Sequence, residues 1–151
     1  MPVSDLAEIS SRLKPKKVNV TDILLDPNNP RLAEIGGQEP EEGIDEDRVQ
    51  EDAFRRLKEE VGIDDLRSSI ATVGFLPISM LVVRKHLKDG SNKYVVIEGN
   101  RRIAAIKWIL REAPPGITRD IINERRNQLT ELDVIELETD LNQLERDRFL
   151  L

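Results

Sequence analysis

Two adjacent arginines follow a glycine and an asparagine in the stretch YVVIEGNRRIAAIKWILRE, residues 94–112. A short apolar run stops at Glu98-Gly99, and Asn100-Arg101-Arg102 then open a segment with helical spacing. The start of a helix offers unpaired N–H groups and a partial positive charge, so it attracts anions, phosphate above all. A preceding glycine lets the backbone approach a ligand closely. Arginine grips phosphate or carboxylate through paired hydrogen bonds. Two arginines in a first turn oppose the helix dipole, which makes better sense if something negative lies between them and the amides. The same residues admit a structural reading, with Asn100 as helix cap and Arg101 and Arg102 paired to acids such as Glu98 or Asp26.

Composition narrows the remaining chemistry. The 151 residues contain no cysteine and one histidine, His86, so thiol catalysis, thiolate metal sites and a histidine-built triad are set aside. The net charge is −6, with charged residues making up 34% of the chain, which is not the basic footprint of a DNA-binding module. Few aromatics argue against a stacking platform for single strands. No apolar stretch approaches the roughly 18 residues that span a bilayer, and MPVSDLAEIS lacks the regions of a signal peptide. A soluble, cytoplasmic chain with no membrane partner is expected.

The elements that must position the arginine turn follow from periodicity. KKVNV reads as a short strand, Ile23 to Leu25 as an apolar turn, and DPNNPR as a rigid loop carrying Arg31. LAEIGGQEPEEG reads as a mobile surface loop. Val49, Ala53, Leu57 and Val61 mark a helix. A second helix, which Asp64 or Asp65 can cap, has Leu66, Ile70 and Val73 along one face and ends at Gly74. Strands flank the turn HLKDGSN, with His86 expected at the surface. The helix over 100–111 carries a narrow stripe of Ile103, Ile106, Lys107 and Leu110, with Trp108 expected in the core. A helix over 118–130, the strand LDVIEL and the start of a last helix complete the order. NERRN, residues 123–127, reads as a solvated face. The fold expected is α+β, a small mixed β-sheet covered by helices.

Several of these elements together resemble the ParB/sulfiredoxin superfamily, in particular its ParB-like N-terminal (nuclease-type) domain. Ser69-Ile70, Gly74, Pro77-Ile78 and Gly99-Asn100-Arg101-Arg102-Ile103-Ala104-Ala105 stand where that family has a helix ending, a Pro-Ile loop and a GERR-type turn on a helix. VNVTDILLDPNNPR looks like its opening strand and proline loop. The resemblance covers roughly residues 17–140, leaving 1–16 as an N-terminal extension, 36–60 as an insertion, and 141–151 as the start of a truncated C-terminal helix.

The resemblance implies a nucleotide-operated switch. Gly99, Asn100, Arg101 and Arg102 would bind phosphate, with Arg31 reaching in from the proline loop. Gly74, Phe75, Leu76, Pro77 and Ile78 would border the base. The ligand implied is a nucleoside triphosphate, CTP or ATP, with Mg²⁺, for which Glu98 or Asp26 can supply a carboxylate. A nucleotide-binding switch domain of a DNA-associated bacterial or phage protein is the function expected, with weak NTPase activity left open. A ParB-like DNase and a non-catalytic protein-interaction domain are the alternatives. DNA would be bound through other segments of a longer protein or through a partner, and a homodimer fits the same picture. This sequence departs from the family at Asn100, where ParB proteins have glutamate and sulfiredoxin its cysteine. It also has GFLPI where a glutamine precedes the proline, and it lacks the second phosphate motif. Sulfiredoxin chemistry is excluded for want of a cysteine.

Overall fold

The computed structural model describes residues 7–8, 10–30, 32, 38–74 and 80–148. Its centre is a five-stranded mixed sheet in the order β1-β5-β3-β4-β2. The strands are β1 (Leu13–Asn19), β2 (Ile23–Leu24), β3 (Val82–Lys85), β4 (Tyr94–Glu98) and β5 (Glu131–Leu137). β1 with β5 and β3 with β4 run antiparallel, whereas β3 with β5 and β2 with β4 run parallel. Among the described residues five α-helices accompany them: α1 (Asp47–Arg56), α2 (Asp64–Val73), α3 (Asn100–Arg111), α4 (Arg119–Thr130) and α5 (Leu141–Arg148). The fold is therefore α+β.

Successive residues of a strand face opposite sides of the sheet, and the apolar residues sort accordingly. Val18, Val83, Val96, Leu132 and Val134 join the main core with Ile70, Ile103, Ile106, Ile109, Ile122 and Leu129 from the helices. Val95, next to Val96, belongs instead to a smaller cluster with Leu24 and Ile44. The region 36–60 thus contributes to both clusters, through Ile44 and through Ala53 and Phe54 of α1. At the other end of the sheet, β1 pairs over its whole length, from Leu13 opposite Leu137 to Asn19 opposite Glu131. Residues 13–16 are consequently part of the sheet, four residues ahead of the boundary drawn from the sequence.

Several expectations are corrected, most of them for a long-range reason. Ile23 and Leu24 form a strand, because they find β4 as a parallel partner. His86 is only 3% exposed: its Nε2 lies 2.7 Å from the Glu41 carbonyl oxygen and its Nδ1 3.0 Å from Ser91 Oγ. Glu41 pins its own segment by accepting from both terminal nitrogens of buried Arg84, at 2.7 and 2.8 Å. Neither Asp64 nor Asp65 caps α2. The cap position is Ile63, and both acids lie inside the first turn, where they complement the helix dipole. Val73 is exposed, while Arg67 of the same helix is buried with its guanidinium 3.9 Å over the Trp108 ring. α3 is broader in its burial than a stripe, since Ala104, Ala105 and Ile109 are also buried, while Trp108 lies in the core as expected. Within NERRN, Arg125 is not solvated chemistry to spare: it donates to the Thr72 carbonyl at 2.7 Å and so closes the end of α2. Among the described residues no helix is long and apolar enough to cross a membrane.

Candidate anion-binding site

β4 delivers the chain to the turn and α3 takes it away. Between them Gly99 adopts φ 116°, ψ 20°, in the left-handed region, and serves as the N-cap without a side chain. A Cβ built on Gly99 would overlap Leu81 Cδ2, so glycine is required by packing as well as by conformation. Asn100 is therefore the first helical residue and not the cap. It is 7% exposed, and its carboxamide turns back to Asp26, accepting from the Asp26 N–H and donating to the Asp26 carbonyl, both at 2.9 Å. What Asn100 offers a ligand is its main-chain N–H, one of those a helix cannot pair internally.

The arginines differ. Arg102 donates to the Met80 carbonyl at 2.9 Å and lies 3.9 Å from Glu98, its side chain 18% exposed. Arg101 is exposed and makes one long bond, 3.4 Å, to the Gly62 carbonyl. Arg102 thus leans over the turn it stabilises, while Arg101 is the less firmly held of the two.

A cleft of about 560 Å³ opens at this turn, lined by Gly99, Asn100, Arg101 and Arg102 together with Glu98, Asn29, Leu57 and Leu66. A second cavity of about 490 Å³ adjoins it, and its lining includes Asp26, Gln38, Ile97, Thr139 and Leu144. Asn29 and Glu98 line both. The structure therefore brings four predicted phosphate residues to one cleft and the two predicted carboxylates to the neighbouring cavity. For Mg²⁺ the two acids are not equal. Asp26 Oδ1 already accepts the Asn28 N–H at 2.9 Å, whereas the Glu98 side chain is 73% exposed. One such carboxylate plus phosphate oxygens is a set Mg²⁺ accepts. Among the described residues no three acids, histidines or cysteines converge on a metal position.

The rest of the predicted site is elsewhere or outside the described residues. Arg31, Phe75, Leu76, Pro77 and Ile78 lie outside them. Gly74 ends α2 at φ 93°, where a Cβ would stand 2.7 Å from Gln128 Oε1 and 3.2 Å from Arg125 Nη1; it faces α4 and does not line the cleft. A larger hollow of about 670 Å³ along α1 is a field of ion pairs, among them Arg56–Asp52 at 2.8 Å and Arg55–Asp52 at 2.9 Å, and its Lys58 lies 4.6 Å over the Trp108 ring. Sequence reasoning missed Asn29, Leu57 and Leu66 as cleft residues. In the sequence Asn29 reads as part of a rigid loop, and helical spacing places both leucines on the apolar faces of helices. The one available signal was the asparagine pair held between two prolines in DPNNPR. Comparison of the chain with protein-family models, with curated proteins and with solved structures finds no match.

Proposed function

We propose that the Gly99–Arg102 turn binds phosphate and that the chain is a ParB-like nucleotide-binding switch domain. Its ligand is a nucleoside triphosphate, CTP or ATP, with Mg²⁺. The observation that carries the reading is Arg101, an exposed cation with a single 3.4 Å bond, at the start of a 12-residue helix and on the wall of a cleft of nucleotide size. Phosphate oxygens would accept from the first-turn amides of α3 and from the Arg101 guanidinium. Glu98 would share Mg²⁺ with those oxygens, and the ion's charge would offset that of the triphosphate. Amides and arginine hold a phosphate but do not by themselves cleave it, so the proposal is of binding, with slow NTP turnover at most.

A second reading has an observation of its own. Gly99 is accounted for by Leu81, Asn100 by Asp26 and Arg102 by Met80. A turn so well explained from within also suits a protein-interaction domain without the chemistry. A DNase, the third reading, would need an acid cluster, and among the described residues none of three is formed. With a net charge of −6, DNA contact in a DNA-associated bacterial or phage protein would fall to other segments or to a partner.

Calorimetric titration with CTP, ATP and GTP, each with Mg²⁺, separates these readings. Binding of one nucleotide that Arg101→Ala weakens at least tenfold supports the phosphate site. Absence of binding by all three overturns it in favour of the interaction domain. Metal-dependent nicking of plasmid DNA, lost in Arg102→Ala, would decide for the nuclease.

A further inference from the structure

The chain leaving β2 is held in an unusual way. Among the described residues no strand pairs with Leu25 or Asp26, yet the main-chain N–H and carbonyl of both are bonded. Gln50 of α1 accepts from the Leu25 N–H at 2.8 Å and donates to the Leu25 carbonyl at 2.9 Å. Asn100 of α3 makes the same pair of bonds to Asp26, both at 2.9 Å. The main-chain groups of successive residues in an extended chain point to opposite sides, so the two carboxamides grip the segment from opposite edges. Each presents the acceptor and donor that a neighbouring strand would. Two residues further on, Asn28 repeats the device, accepting from the Glu39 N–H at 2.7 Å and donating to its carbonyl at 2.8 Å.

Three carboxamides thus fasten the strap 25–29. The residue at its end is Asn29, which stands in the wall shared by the arginine cleft and the acid-lined cavity. Asn100 belongs to both parts: its side chain holds the strap and its main chain opens the first turn of α3.

We infer that Asn100 is the positioning residue of the site, holding the 25–29 strap in register with the arginine turn, so that phosphate binding and strap order are coupled; this rests on the phosphate reading above. Gln50 is the second hook, and it comes from the 36–60 region that the family resemblance does not cover. It also donates to the Ile44 carbonyl at 2.8 Å, which ties the strap to the segment before α1. Coupling is reciprocal: if strap order favours the ligand, the ligand must favour strap order to the same extent.

The test is amide hydrogen exchange by NMR on the whole chain, with and without saturating inorganic tripolyphosphate and Mg²⁺, alongside calorimetric affinities. The Asp26 and Leu25 amides are expected to be protected, and the ligand to slow Asp26 exchange severalfold further. Asn100→Ala should release the Asp26 amide, leave Leu25 protected through Gln50, and weaken tripolyphosphate by roughly tenfold. In Asn100→Asp the introduced carboxyl, once protonated, can donate to the Asp26 carbonyl as the amide does. Its affinity relative to the unaltered chain should therefore recover as pH falls through the carboxyl range, a profile that general loosening would not give.

Asp26 exchange unchanged by Asn100→Ala overturns the clasp. Release of Asp26 with full affinity retained overturns the coupling. Should Asn100→Ala not fold, the unaltered chain still decides, since an Asp26 rate indifferent to bound ligand overturns the proposal. If tripolyphosphate does not bind at all, the phosphate reading falls and the coupling with it, while the exchange pattern at Leu25 and Asp26 separately judges the strap.

Discussion

Arg101 and Arg102 are neighbours with the same chemistry and different obligations, so removing them should have different effects. Arg102→Ala deletes the bond to the Met80 carbonyl and should cost about 0.5–1.5 kcal/mol of stability whether or not a ligand exists. Arg101→Ala removes a cation from the positive end of a helix dipole, so its thermal unfolding should match the unaltered chain or lie slightly above it. Its triphosphate affinity should nevertheless fall about tenfold, which amounts to one lost charge-assisted contact. Equal stability losses in the two variants, with no loss of binding, would show both arginines to be structural.

Lys107 supplies a second contrast at this scale. Burial first, then the neighbouring Arg111 and Lys93, push its amine down to about 8 from the usual 10.5. Between those two values the unfolded chain holds a proton that the folded chain has released, so stability from this group rises with pH across that window. Below it the folded state bears the full penalty. Lys107→Met should therefore be more stable at pH 7 by about 1–3 kcal/mol, with the advantage shrinking as denaturation is repeated from pH 8 to 10.5. What the sequence could not reveal about Asn100 has the same local character. A helix cap depends on where the backbone turns, and Gly99, by taking a left-handed conformation against Leu81, takes the cap position itself and leaves Asn100 as the first helical residue.

Elements were legible where their signal was periodic and obscure where it was a partnership. α1, α2, α3 and α4 follow from apolar spacing, and β5 from the alternation of Leu132 and Val134 with Asp133. β2 did not, because two residues carry no period and became a strand only beside Tyr94 and Val95. The segment before α1 did not, because its anchors lie more than forty residues away: Glu41 meets Arg84, Leu87 and His86 across the hairpin of β3 and β4. Burial pushes the Glu41 carboxyl up, but the Arg84 guanidinium and the Leu87 N–H outweigh it and hold the group below the usual carboxylate range. With side chains only 4% and 11% exposed, this pair should be costly to break from one side. Glu41→Gln should destabilise the fold by about 3–5 kcal/mol at pH 7, since Arg84 is left buried without its counter-ion. A depressed carboxyl stabilises above its unfolded pKa and ceases to do so as pH falls through the folded value. The difference between the variant and the unaltered chain, measured by urea denaturation, should accordingly narrow as pH falls below the usual carboxylate range. A difference that persists unchanged into acid would mean that packing, not charge, holds the segment.

At the scale of the molecule the question is whether an acidic chain, with 29 acidic and 23 basic residues, can hold a polyanion firmly. The general field repels a triphosphate, and only the local donors of α3 with Arg101 favour it, so binding must register as stabilisation of the whole fold. A ligand present at a hundred times its Kd adds about 2.7 kcal/mol to a two-state domain. For a chain of 151 residues that corresponds to a rise in Tm of roughly 5–10 °C. A variant with tenfold weaker binding, at the same ligand concentration, gains only about 1.4 kcal/mol and should show half the rise. Arg101→Ala should behave in that way with CTP or ATP and Mg²⁺, measured against sodium chloride of equal ionic strength so that general salt effects cancel. A full rise in Arg101→Ala would move the nucleotide away from this turn. No rise in the unaltered chain would leave Gly99, Asn100 and Arg102 as parts of a turn that serves the fold, and Arg101 as a surface charge.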